Sequence, residues 1–146
     1  MDTKFIGYKW PEFEVQVERG QTVAFARGLG ETNPVYLEKA AAKEAGYRDV
    51  PVLPTFPIAL SQAQVEMIYD MLAKLDLDPS KILHANQKFI FHDVVCVGDQ
   101  LVGEKRIENL YDKKNGALKF IETVIDYKSS DGSVVCEEHC TLVARS

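Results

Sequence analysis

No stretch of this 146-residue chain approaches the ~18 consecutive apolar residues that a membrane-spanning helix requires. Cysteine is sparse and odd in number, with only Cys96, Cys136 and Cys140, which argues against a disulfide framework and suits reduced thiols. Positive charge is also short. Lys and Arg total 17 against 22 Asp and Glu, a net charge of −5, so the basic face that nucleic-acid binding needs is not expected. The opening Met1-Asp2-Thr3-Lys4 lacks the charged-then-apolar order of a secretion signal. A phosphate-cradling glycine loop and a Gly-x-Ser-x-Gly nucleophile elbow are both missing. These absences predict a cytoplasmic protein that engages neither membrane nor nucleic acid. With 46% hydrophobic and 27% charged residues, the composition is ordinarily globular, and the length suits a single domain over residues 1–146.

The chain reads as helices first and sheet second. Phe13, Val15 and Val17 alternate with acidic and amide residues, a period-two strand signal. A short helix is expected over 21–28, stopped by Gly28 and Gly30, and a second over 37–45. Three prolines then hold 50–57 extended. The longest helical pattern follows over 57–75, with Leu60, Ala63, Met67 and Met71 in one stripe, Thr55 as N-cap and Pro57 in the first turn. Beyond Pro79 the pattern is antiparallel strand over 84–95, 100–111, 117–128 and 134–144. Asn115-Gly116 and Asp131-Gly132 mark the hairpin turns. The expected fold class is α+β, a long buried helix followed by a meander of long strands.

Cys136, His139 and Cys140 cluster in sequence, but on a strand the two cysteines share one face and His139 takes the other. No metal site and no cofactor site are therefore expected. His84 and His92 fall in the same strand phase, and His84 is the more interesting as a general base because it opens the strand. Glu31, Asn33 and Tyr36 place a carboxylate, an amide and a phenol on one turn between helices, a setting from which acid–base groups reach a cleft. Pro54-Thr55-Phe56 leads into the long helix, where the unpaired amides of Thr55 and Phe56 are candidates for polarising a carbonyl.

Taken in order, Gly30-Glu31-Thr32-Asn33-Pro34-Val35-Tyr36, Ala45-Gly46-Tyr47, Pro54-Thr55-Phe56, Leu83-His84-Ala85-Asn86-Gln87-Lys88-Phe89 and Val97-Gly98-Asp99 resemble the MaoC-like (FAS1-like) dehydratase N-terminal family. The resemblance covers roughly residues 10–144. It implies a hot-dog fold, a long central helix wrapped by an antiparallel β-sheet. It also implies hydration of trans-2-enoyl thioesters, or dehydration of (R)-3-hydroxyacyl thioesters, on CoA or acyl carrier protein. The family's active segment is Gly-Asp-x-Asn-Pro-x-His. Glu31 stands at the Asp position, Asn33 and Pro34 match, and Tyr36 stands at the His position. A phenol, with an ordinary pKa of about 10, does not replace imidazole as a base at neutral pH. This version resembles the non-catalytic member of two-chain 3-hydroxyacyl-ACP dehydratases, in which the partner supplies Asp and His; the resemblance equally allows a chain that is catalytic by itself through Glu31, whose carboxylate performs the same acid–base chemistry as Asp. Thr55 or Phe56 would fall near the carbonyl-binding amide, with Pro54 beside them and Met67 and Met71 along the acyl pocket. Lys39, Lys43 and Arg48 are candidate phosphate contacts at its mouth.

A partner chain is expected, either a second copy or an Asp/His-bearing relative, covering exposed apolar strand at 134–143. Two other readings compete with a hydro-lyase. One is a thioesterase on the same fold, using Glu66 or Asp70 of the long helix. The other is a non-enzymatic acyl-thioester-binding or assembly subunit.

Overall fold

The computed structural model describes residues 2–145; Met1, named above, lies outside the described residues. Five strands form one antiparallel sheet: β1 (Phe13–Gln16), β2 (Ile82–Phe91), β3 (Gln100–Lys113), β4 (Leu118–Lys128) and β5 (Val134–Arg145), in the order β1-β3-β4-β5-β2. The alternation seen in sequence is the pleat of these strands. Leu101, Ile107, Ile121, Ile125, Tyr127 and Cys136 turn inward and are buried. The β3–β4 hairpin closes where Lys114, Asn115 and Gly116 all have positive φ (53°, 54° and 86°), conformations that Asn and Gly accept most cheaply.

Two short helices precede the sheet's long strands in the chain, α1 (Arg19–Gly28) and α2 (Lys39–Glu44). The expected helix over 57–75 is present as two, α3 (Pro57–Gln62) and α4 (Val65–Lys74). Gln64, at ψ 43°, breaks the helical path between them. The break follows Ser61, whose hydroxyl bonds back to the Ile58 carbonyl (3.1 Å) and forward to Glu138 (2.8 Å); such competition for backbone acceptors bends helices. Thr55 does not cap α3. The cap position falls to Phe56, in helical φ/ψ, with no side-chain bond to the first turn.

Both helices lie on the inner face of the sheet. Phe56 and Leu60 pack with Leu101, Ile125, Tyr127 and Cys136, while Met71, Leu72 and Leu75 pack with Ile107, Leu110 and Ile121. Each such side chain contributes about 1.5–3 kcal/mol on burial. Met67 flanks the second of these clusters. The N-terminal segment closes this end. Trp10 is buried, and its Nε1 donates to Asp70 Oδ2 at 2.7 Å.

Two expectations about the strands change. Segment 134–143 is no edge: β5 lies between β4 and β2, so its backbone is paired on both sides and needs no partner. The edges are β1 and β2, and Leu83 and Phe91 on β2 are exposed apolar residues. The second change is a register shift between His84 and Asn86, which inserts one residue into β2 and reverses the phase. His84 and His92 therefore do not share a role. His84 faces the inner cavity with Gln87, whereas His92 meets Glu137 (2.6 Å), on the β5 side that also carries His139 (2.9 Å).

Candidate active site

The turn after α1 is built by its own side chains. Gly30 takes φ +77°, and Glu31 Oε1 accepts the amides of Thr32 (2.9 Å) and Asn33 (2.8 Å). Asn33 Oδ1 accepts from the Val35 amide at 3.1 Å, starting the single 3₁₀ turn Pro34–Tyr36. The Glu31 carboxylate is thus oriented by backbone donors. Tyr36 is delivered to a cleft of about 420 Å³, whose walls include Tyr47, Pro51, Pro54, Phe91 and His92. Glu31 and Asn33 shape the turn that carries Tyr36 without lining this cleft among the described residues.

The amides at the start of α3 are less available than their sequence position implies. Phe56 N donates to Leu53 O at 2.9 Å, and its side chain is fully buried against Phe25. That removes one of the two expected carbonyl-binding donors and leaves Thr55, which is exposed. Arg48 and Lys39 are already engaged. Arg48 pairs with Asp99, which also accepts from the Cys96 amide at 2.9 Å, and Lys39 pairs with Asp49 at 2.6 Å. The helix carboxylate Asp70 is held between Trp10 and Lys74 (3.0 Å).

A second cavity, of about 240 Å³, lies between α3–α4 and the sheet. Ile58, Ile68, Met71 and Leu142 form its apolar walls. One end is polar and centres on Glu138, only 4% exposed. Its Oε1 accepts from Ser61 Oγ (2.8 Å) and Gln87 Nε2 (2.9 Å), and its Oε2 from the Tyr127 hydroxyl (3.0 Å). His84 Nε2 meets Gln87 Oε1 at 2.8 Å. Burial raises the Glu138 carboxyl above its ordinary value against the pull of Ser61, Tyr127 and Gln87. Burial likewise pushes the Cys136 thiol up to about 12 and Cys140 to about 11, so neither is a thiolate at neutral pH. Among the described residues no cluster of His, Cys, Asp and Glu is placed to hold a metal ion.

Of the residues singled out from sequence, Tyr36 and Pro54 come together in the first cleft and His84 and Met71 in the second. Ser61, Gln87, Tyr127 and Glu138 were not anticipated as a group. A signal existed for one of them. Placing Cys136 and Cys140 on one face of β5 puts Glu138, midway between them, on that same face.

An antiparallel sheet with helices on its inner face and a pocket between the two layers defines a hot-dog protein. Residues 4–138 match the FAS1-like dehydratase domain region, and the chain belongs to that family. A UPF0336 protein of Saccharopolyspora erythraea is 31% identical over 146 residues, covering 99% of this chain and 92% of the relative. One from Parafrankia is 30% identical, covering 99% and 95%. Among solved structures, the C-terminally truncated HadBC (3R-hydroxyacyl-ACP dehydratase) complex of Mycobacterium tuberculosis superposes with a TM-score of 0.84 at 25% identity, over 99% of this chain and 100% of that one. The R-hydratase PhaJ1 of Pseudomonas aeruginosa shares the fold, with a TM-score of 0.70 at 19% identity over 97% and 82%. No helix among the described residues is long and apolar enough to cross a membrane.

Proposed function

We propose that this chain is the pocket-forming subunit of a two-chain (R)-3-hydroxyacyl-thioester dehydratase, or trans-2-enoyl-thioester hydratase, of the cytoplasm. The observation that carries this reading is the turn at Glu31–Tyr36. It holds a carboxylate on backbone amides before Asn33-Pro34 but delivers a phenol, where a base would be needed, to the first cleft. In the productive complex a partner chain supplies the Asp and His that move the water and the α-proton. This chain supplies the cavity between α3–α4 and the sheet, which receives the acyl tail, and the thioester lies near Tyr36, Pro54 and Thr55. Full-length similarity to a chain of the HadBC complex supports a partnered arrangement, and the exposed β2 edge with Leu83 and Phe91 is the surface we assign to the partner. The thioesterase reading is weakened because Asp70 is tied to Trp10 and Lys74.

The test is an assay of the purified chain against crotonyl-CoA and a longer trans-2-enoyl-CoA, following loss of the conjugated thioester absorbance. The expected result is no turnover alone and turnover on mixing with an Asp/His-bearing partner. Turnover by the chain alone that vanishes in Glu31→Gln would replace this reading with a self-sufficient hydratase. Release of free thiol would favour a thioesterase. Ligand binding without turnover in any combination would mark a non-enzymatic binder.

A further inference from the structure

The inner cavity has a definite length as well as a volume. Glu138, Cys140 and Leu142 follow one another on the inward phase of β5, and all three line it. The cavity therefore crosses three rows of the sheet. The first is polar, with Glu138 and, beyond Ile125 in the same row, the opposite charge of Lys105. The middle row holds Cys140 and Thr123, and the last is the apolar row at Leu142. From Glu138 to Leu142 the strand advances about 14 Å, at about 3.4 Å per residue. The polar end adjoins the first cleft, because Pro54 of that cleft leads into Pro57, whose carbonyl accepts from the Tyr127 hydroxyl of the Glu138 network at 3.4 Å. At the far end Ile68 and Met71 of α4 roof the slot. Met71 is 1% exposed and belongs to the second core cluster with Ile107, Leu110 and Ile121, so the slot ends against close-packed core.

Volume and length give the capacity separately. An apolar cavity of about 150 Å³ holds one benzene, so about 240 Å³ has room for about nine or ten carbons. An extended hydrocarbon, with bonds of about 1.5 Å at tetrahedral angles, advances about 1.25 Å per carbon, so about 14 Å accommodates about eleven. The two figures agree only if the slot is one chain wide: a single straight tail fills it, and a ring or a second chain does not fit beside that tail. We propose that this cavity sets the acyl length, holding about ten carbons with the methyl end against Met71, while the carbons nearest the thioester stay in the first cleft. This rests on the reading that the cavity receives the acyl tail, and it narrows the substrate class to medium-chain acyl thioesters of about 10–14 carbons with unbranched tails. A shorter tail leaves the Leu142 end unfilled and forgoes the gain from each missing methylene. A longer one has to push into core that is already packed or leave carbons in water.

The test is calorimetric titration of the purified chain with butanoyl-, octanoyl-, dodecanoyl-, hexadecanoyl- and octadecanoyl-CoA, saturated probes that bind without reacting, each kept below its micelle-forming concentration. Affinity should rise about fourfold with each added methylene as far as dodecanoyl-CoA, then level off or fall. Ile68→Phe, which adds bulk at the apolar end, should lower the dodecanoyl-to-octanoyl affinity ratio by about 10- to 100-fold. Met71→Ala, which opens that end, should raise the hexadecanoyl-to-dodecanoyl ratio by a similar factor. An affinity still rising at octadecanoyl-CoA, or highest for butanoyl-CoA, would overturn the assigned length. Ratios unmoved by both substitutions would place the tail elsewhere and overturn the proposal. Should Met71→Ala not fold, Ile68→Phe carries the comparison, since Ile68 is only partly buried; should neither fold, the break in the wild-type series decides. If no probe binds, or affinity is indifferent to length, both this inference and the location of the acyl pocket are wrong. The partnered-enzyme assay with crotonyl-CoA, too short to reach Met71, remains a separate judge of the function.

Discussion

Replacing Glu138 by leucine isolates what the buried polar end contributes to stability. Three donors lose their acceptor, but not equally. Ser61 Oγ has a second acceptor in the Ile58 carbonyl at 3.1 Å, and the Tyr127 hydroxyl has one in the Pro57 carbonyl at 3.4 Å. Those two should forfeit about 0.5–1.5 kcal/mol each, the net worth of an ordinary hydrogen bond. Gln87 Nε2 has no such retreat among the bonds described, and an unsatisfied buried donor costs about 1–3 kcal/mol. Glu138→Leu is therefore expected to lose about 2–6 kcal/mol, partly offset because a carboxylate no longer has to be buried. Glu138→Gln, which keeps an acceptor oxygen, should lose about 1 kcal/mol. Urea unfolding followed by Trp10 emission and far-UV circular dichroism measures both, as a change in midpoint at constant slope. The same pair of proteins has a pH signature. Burial holds the folded Glu138 carboxyl above its unfolded value, so its stabilising contribution is complete below the ordinary carboxylate pKa and is lost as pH rises through the raised one. The advantage of wild type over Glu138→Gln should shrink across that window and level off above it. A leucine variant as stable as wild type, with no pH dependence in the difference, would refute the reasoning.

Gly103 faces Phe13 across the β1–β3 pair, and a Cβ there would lie inside the space of the Phe13 ring. Gly103→Ala should cost about 1–3 kcal/mol, with most of it recovered when Phe13 is also replaced by Leu; a thermal-denaturation series on the three proteins checks this. Asp99→Ala removes the acceptor for the buried Cys96 amide and the partner of Arg48, and should cost about 1–3 kcal/mol, measured by the same urea titration. Cys136 and Cys140, raised by burial to about 12 and about 11, should react slowly with an aromatic disulfide reagent at pH 8 in the folded protein and quickly in urea. Rapid native labelling of Cys136 would contradict its placement.

Much of the architecture was legible because it depends on local chemistry. Strand-like segments between turn signals place the four long strands to within a few residues, and Asn115-Gly116 marks a hairpin because few residue pairs accept positive φ cheaply. The order of motifs from Gly30 to Asp99 identified the family. The apolar stripe from Leu60 to Met71 read as one helix because periodicity reports which face is buried, not where Ser61 will divert a backbone acceptor. Spacing alone sets His84 and His92 on a common face, but one inserted residue in β2 reverses every side chain beyond it, and only strand pairing reveals the insertion. The edge was misplaced for a related reason. A sequence announces that a segment is a strand, while long-range pairing decides whether that strand is central, as β5 is, or lateral, as β2 is. The inner cavity is the furthest from local control. Ser61, Gln87, Lys105, Tyr127 and Glu138 come from five different elements of the fold, and no spacing rule connects them. Their meeting depends on β3, β4 and β5 lying side by side in one register with α3 laid across them, which hydrophobic burial over the whole sheet determines and no short segment encodes.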